Sequence, residues 1–218
     1  MSDDANNEPL NRTYSPSLNL TPVNSLVQRY DDALRYFQAL PWLAETLGNR
    51  GTHCFLPSSR NTTSDHRDQF LNITLATDRT LEHMLCFITP EDQGILQDPS
   101  KPVAQVQTLF LPGEGLSGVG SMLHGGVIMT MLDEACNVLL EINTVLNKQG
   151  SMFEAGSVTG SMEVKFIRAV LTGGAVLATA WIDTIDGRKM RIRCNIRDED
   201  GEELVRASSM WFVVKYHL

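Results

Sequence analysis

The chain has 218 residues, 42% of them hydrophobic, and a formal net charge of −8. This suits one domain of moderate size with an appendage and excludes a globally disordered chain. The acidic balance, without a long basic block, disfavours nonspecific nucleic-acid binding, and no apolar run approaches the length of a membrane span.

The start, Met1-Ser2-Asp3-Asp4, has the character of neither a secretory signal nor an Arg-rich transit peptide. A cytoplasmic protein is the expectation, with a mitochondrial one as the alternative. The four cysteines, Cys54, Cys86, Cys136 and Cys194, are scattered without a CxxC pair. Reduced, buried thiols are expected, and no metal site.

Residues 1–20 are rich in Asn, Asp, Ser and Pro and read as a disordered arm. Residues 21–75 form an N-terminal extension. In it, Leu26, Val27, Tyr30, Leu34 and Phe37 recur at helical spacing, and Pro41 starts a second short helix that Gly48 ends. Gly51 to about Asp68 is polar and reads as loop. Residues 76–218 are the main domain. Strands are expected over Thr80–Thr89 and Val103–Leu111.

Gly113-Glu114-Gly115-Leu116-Ser117-Gly118 matches GxGxxG. A dinucleotide loop must open a helix within itself, and here the helix starts later, at His124-Gly125-Gly126. That helix is expected from Gly126 to about Asn143, with an apolar face so wide that a sheet must wrap it. Thr130, Glu134, Asn137 and Glu141 form a narrow polar strip, and Asp133 lies at its border. Four strands follow in close succession, Val158–Val170, Ala175–Thr184, Lys189–Arg197 and Leu204–Val214, and read as an antiparallel meander. Asp186-Gly187 marks a two-residue hairpin. The fold class is therefore α+β rather than doubly wound.

The chemistry of the His-Gly-Gly turn follows from its residue types. Glycines let the backbone approach a ligand closely. The first N–H groups of a helix suit a carbonyl gaining negative charge. Asp133 could act as base or as nucleophile; a solvated aspartate is the bland alternative. At about 1.5 Å rise per residue, Asp133 lies roughly 10 Å along the axis from Gly126. One helix cannot easily bring both groups to one carbonyl, whereas two antiparallel helices across a two-fold axis can.

Three segments together carry a resemblance. They are Leu123-His124-Gly125-Gly126 through Asp133, Thr159-Gly160-Ser161 through Lys165-Phe166-Ile167-Arg168, and Gly187-Arg188-Lys189-Met190. From about Leu81 to Val214 the chain resembles the hotdog-fold acyl-CoA thioesterases of the PaaI-like type. The resemblance implies a sheet wrapped around the long helix, a homodimer or dimer of dimers, and hydrolysis of an acyl-CoA to a free acid and coenzyme A. Coenzyme A is then part of the substrate, and no separate cofactor is expected. Asp133 falls on the catalytic acid and Thr159 on the hydroxyl that places the attacking water. Gly125, with Gly126 beside it, falls on the oxyanion donor, and His124 on the orienting residue.

Lys165, Arg168, Arg188 and Lys189 are candidates for the coenzyme A phosphates, and Met122 for the acyl pocket, with the N-terminal helices as candidates for its cap. Two positions depart from the pattern. Gly118 stands where many relatives have an asparagine, and Ala169 where many have proline. A non-catalytic acyl-CoA binder and a hydroxyacyl-thioester dehydratase or isomerase are the alternative functions.

Overall fold

The computed structural model describes residues 12–62 and 68–214. Seven antiparallel strands form one sheet: β1 (His53–Phe55), β2 (Leu81–Ile88), β3 (Gln105–Pro112), β4 (Ser157–Phe166), β5 (Val176–Asp186), β6 (Lys189–Arg197) and β7 (Glu203–Val213). Their order across the sheet is β1-β2-β3-β5-β6-β7-β4. The long helix α3 (Gly125–Val145) packs against β3, β4, β5, β6 and β7. This is the hotdog arrangement, an α+β fold with a sheet wrapped around one helix.

The wide apolar face of α3 is the reason for the wrap. Ile128, Met131, Leu132, Ala135, Val138, Leu139 and Ile142 are buried in one cluster with Met84, Cys86, Val106, Phe110, Ala178, Ile192, Cys194 and Ile196 from the inner face of the sheet. Each fully buried large aliphatic or aromatic side chain contributes about 1.5–3 kcal/mol. Asn143, buried within this region, accepts from Val103 N at 2.7 Å and donates to Val103 O at 2.9 Å and to Leu139 O at 2.8 Å. It ties the end of α3 to the segment entering β3. All four cysteines are buried free thiols.

Only β5, β6 and β7 form a meander. β4 pairs with β7 and has no other partner among the described residues, while β5 pairs with β3. The expected four-strand meander is corrected here. The connection after β4 is pinned to the His-Gly-Gly loop by a Met122–Leu171 bridge and by Leu123 N donating to Val170 O at 2.8 Å. The chain is thereby carried across to β3.

Helices α1 (Val27–Gln38) and α2 (Pro41–Gly48) bury Tyr30, Ala33, Phe37, Leu43 and Leu47. They pack with Leu85, Phe87 and Leu109, which alternate with the α3-facing residues of β2 and β3. These helices therefore cover the outer face of the sheet and do not cap a pocket at the His-Gly-Gly turn. The expected arm is corrected over residues 12–20. Tyr14 and Leu56 exchange backbone hydrogen bonds of 3.0 and 2.8 Å, and Ser15 Oγ donates to Cys54 O at 2.7 Å. Tyr14 packs edge-on against Tyr30, with ring centroids 5.2 Å apart. Residues 1–11 of that arm lie outside the described residues. The polar stretch after Gly51 contains β1 and a 3-10 turn, Ser58–Arg60, rather than plain loop.

The GxGxxG match is a packing device. A Cβ at Gly113 or Gly115 would stand 2.6 Å from the Arg79 backbone. Gly115 N donates to Arg79 O at 2.8 Å within a short 3-10 turn. No described helix is long and apolar enough to cross a membrane.

Candidate active site

His124 caps α3 with its own ring. Nδ1 accepts from Gly126 N at 3.0 Å, so Nδ1 is unprotonated and a neutral ring carries its proton on Nε2. The Gly126 N–H, expected as a second donor to a carbonyl, is therefore already engaged. The Gly125 N–H has no acceptor among the described residues. Gly125 and His124 border an open cleft of about 500 Å³, together with Gly118, Met122, Phe166 and Arg168. Gly118 stands beside the His124 ring: a Cβ there would lie 3.5 Å from Cδ2.

Asp133 sits two turns further along α3 and is half-buried. Thr159 Oγ1 donates to Asp133 Oδ1 at 2.6 Å. The bond depends on a bulge in β4 between Thr159 and Ser161. Gly160 occupies the bulge, and a Cβ there would come within 2.3 Å of the Phe212 ring. Only glycine fits without displacing that ring. Neither Asp133 nor Thr159 borders the cleft at the helix start. Within one chain the acid–hydroxyl pair and the donor turn are separate sites.

The neighbouring acid has a different environment. Glu134 is buried and accepts from Ser59 Oγ, and burial pushes its carboxyl up to about 8. Two turns on, Glu141 accepts from Ser58 N and Ser58 Oγ, both at 2.8 Å, and from Thr13 Oγ1. Burial raises its pKa as well. The polar strip of α3 is therefore covered by the segment leading from β1. Arg60 follows in that segment, fully buried, and donates to the backbone carbonyls of Leu71, Leu75, Leu81 and Glu82. Sequence patterning missed this cover because Ser58-Ser59-Arg60-Asn61 is polar. A polar run is buried only when each group finds a partner, which no local pattern announces.

The four basic candidates are not brought together in one chain. Lys165 is exposed on the outer face of the sheet, at the register position of Arg206. Arg168 borders the cleft and pairs with Glu202 at 2.6 Å. Arg188 and Lys189 lie at the far end of β4. There Arg188 Nη2 donates to Val213 O at 3.0 Å, and Lys189 Nζ stands 5.9 Å from the centre of the Phe212 ring.

Residues 120–205 match the family model described as the thioesterase superfamily. Verlamelin biosynthesis protein B of Lecanicillium sp is 28% identical over 163 residues, which span 64% of this chain and 70% of that protein. Acyl-coenzyme A thioesterase THEM4 of Bos taurus is 30% identical over 105 residues, 48% of this chain and 39% of that enzyme. The chain thus spans well under half the length of that thioesterase. The solved structure of zebra fish thioesterase superfamily member 2 aligns with a TM-score of 0.49 at 14% identity, over 70% of this chain and 89% of that one.

Proposed function

Because the chain carries a thioesterase-superfamily segment in a hotdog fold, we propose that it hydrolyses acyl-CoA thioesters at a site shared between two copies of itself. The observation that carries this reading is the 2.6 Å hydrogen bond from Thr159 Oγ1 to Asp133 Oδ1. The Thr159 hydroxyl spends its one proton on Asp133 and keeps its lone pairs for a water. A water at this pair donates one hydrogen to Asp133, which acts as base, and the other to Thr159.

The oxygen so activated attacks the thioester carbonyl, whose developing charge is met by the Gly125 N–H. The tetrahedral intermediate expels the coenzyme A sulfur, and the proton taken by Asp133 passes to that thiolate. The products are one carboxylic acid and one thiol. A thiol pKa near 8.5 makes the sulfur a good leaving group with little help. His124 holds the turn in place. Arg168 from one end of β4, with Arg188 and Lys189 from the other, supplies positive charge for the phosphates of coenzyme A.

Two features support the pairing of chains. The donor turn and the acid pair lie apart in one copy. The outer edge of β4, which has no partner among the described residues and carries exposed Val158 and Phe166, is a strand edge of the kind that seeks a partner.

A free-thiol assay on a panel of acyl-CoAs, with product identification, tests the reaction. A hydrated or isomerised thioester in place of free acid would indicate the dehydratase or isomerase alternative. Binding without turnover would indicate the non-catalytic one. The shared site is tested by mixing Asp133→Asn chains with Gly125→Pro chains. Gly125 is the first helical residue, where proline fits and only the N–H is lost. His124 before it is extended, at φ −62 and ψ 134, as a residue preceding proline must be. Mixed dimers should recover up to half of wild-type activity per dimer, and verified mixed dimers that stay inactive would refute the shared site.

A further inference from the structure

Asn137 is the one polar side chain of α3 without a hydrogen-bond partner among the described residues. Thr130 and Thr144 donate to Gly126 O and Leu140 O, and Asp133 accepts from Thr159. Glu134, Glu141 and Asn143 are held by Ser59, Ser58 and Val103. Asn137 is half-buried, and asparagine is a poor residue for a helix interior. A carboxamide placed there without a partner in its own chain is free to bind something brought from outside.

Residues four apart lie on one face of a helix, so Asn137 stands one turn, about 5.4 Å, past Asp133. Its Cα–Cβ bond tilts toward the helix N-terminus and leans the carboxamide back over Asp133. Donors are scarce at the His-Gly-Gly turn. Gly126 N already donates to His124 Nδ1 at 3.0 Å, and Gly118 N to Met122 O at 2.8 Å. The ring's other donor, Nε2–H, faces away from Gly126 N because Nδ1 faces it. The Gly125 N–H is left alone to meet a developing oxyanion, a task that enzymes commonly give to two donors.

We propose that the Asn137 carboxamide donates the second hydrogen bond to the thioester oxygen, opposite the partner subunit's Gly125 N–H. This rests on the hydrolytic, shared-site reading and adds one residue to that site. In two antiparallel helices, the direction from Asp133 to Asn137 along one leads out through the N-terminus of the other. The first N–H groups of a helix point that same way. An oxygen held at the partner subunit's Gly125 therefore lies between that N–H and Asn137, with Asp133 and Thr159 facing the carbonyl carbon. Nδ2–H donates to the oxygen as its charge grows in the tetrahedral intermediate, and no proton is transferred.

Three readouts on the full chain test this. Asn137→Ala, and Asn137→Asp, which keeps the shape and loses the donor, should each lower kcat by about 10²- to 10³-fold with little change in KM. In mixed dimers, Asn137→Ala chains should recover activity with Gly125→Pro chains and not with Asp133→Asn chains, because Asn137 and Asp133 of one chain serve the same site. The reverse pattern, or a rise in KM alone, would overturn the proposal. The carbonyl itself is read by infrared spectroscopy of butyryl- and dodecanoyl-CoA labelled with ¹³C at that carbon and bound to Asp133→Asn. Its stretch should lie below that of the free thioester, and adding Asn137→Ala should remove about half of the lowering. An unchanged stretch would refute the contact even if kcat fell. If no thioester is hydrolysed, the hydrolytic reading fails separately, and the stretch in the bound thioester still decides the role of Asn137. A chain that binds neither thioester overturns both.

Discussion

Asp133 and Glu134 are consecutive residues of α3, and they live in different media. Asp133 is half-open to water, with one hydroxyl partner from β4. Glu134 is sealed beneath the segment that leads from β1, against Ser59, with Glu141, Asp68 and Asp133 itself as the acids around it and Arg60 as the nearby cation. A step of one residue turns a helix by about 100°, enough to move a side chain from one face to the next. Side-chain chemistry is nearly the same in the two, so the difference in role comes from what each face meets. On the hydrolytic reading proposed above, the exposed side keeps an acid within reach of a substrate. The sealed side uses a carboxyl to hold the N-terminal segment against the helix.

The sharpest way to break the comparison is to swap an oxygen for nitrogen at each acid. Asp133→Asn should lower kcat by about 10²- to 10⁴-fold, the usual worth of a general base, and leave the urea midpoint close to wild type. Near wild-type turnover in the purified variant would remove Asp133 from the chemistry. Thr159→Ala should cost about 10- to 100-fold in kcat, the worth of a hydrogen bond to a charged group. Thr159→Ser should restore most of it, and a serine variant as slow as the alanine one would show that the hydroxyl is not what matters.

On the sealed side, Glu134→Ala should destabilise by about 2–3 kcal/mol in equilibrium urea unfolding, through a cavity and an orphaned Ser59. Turnover per folded molecule should fall far less than in Asp133→Asn. A variant that lost activity but no stability would reverse the assignment of the two acids.

The last effect is in pH. The ordinary glutamate value is 4.5, and burial pushes Glu134 in the folded chain up to about 8. Between those values the folded state holds a proton that the unfolded chain has released. The contribution is therefore full below about pH 4.5 and is lost as pH rises through about 8. Wild type should lose melting temperature relative to Glu134→Gln from pH 5 to 8, while Glu141 shifts both proteins alike. Parallel profiles would show that Glu134 does not hold its proton.

Much of this layout is legible in the sequence. Six strands and the long helix announce themselves through period-two and helical spacing bounded by Gly and Pro. Asp133 and Thr159 are singled out by the motifs that contain them, and the structure joins them by a hydrogen bond. The polar strip of α3 is equally visible, but its cover is not. Arg60 is buried through bonds to four backbone carbonyls, and a carbonyl has no sequence. The engaged Gly126 N–H is hidden for a related reason, since it depends on the rotamer and tautomer of His124.

The bulge at Gly160 has a consequence for how β4 can be read. In an unbroken strand, residues three apart point to opposite faces. Thr159 and Met162 nevertheless both face α3, and Val164 and Phe166 continue on that side. The extra residue acts as a frameshift within the strand. The hydroxyl is written in one phase and the apolar wall in the other, and the two phases are spliced onto one surface at a single glycine. Were Gly160 drawn into regular pairing, with no residue left over, the strand would still be a strand. Its Thr159 hydroxyl and its apolar wall would then face opposite sides of the sheet.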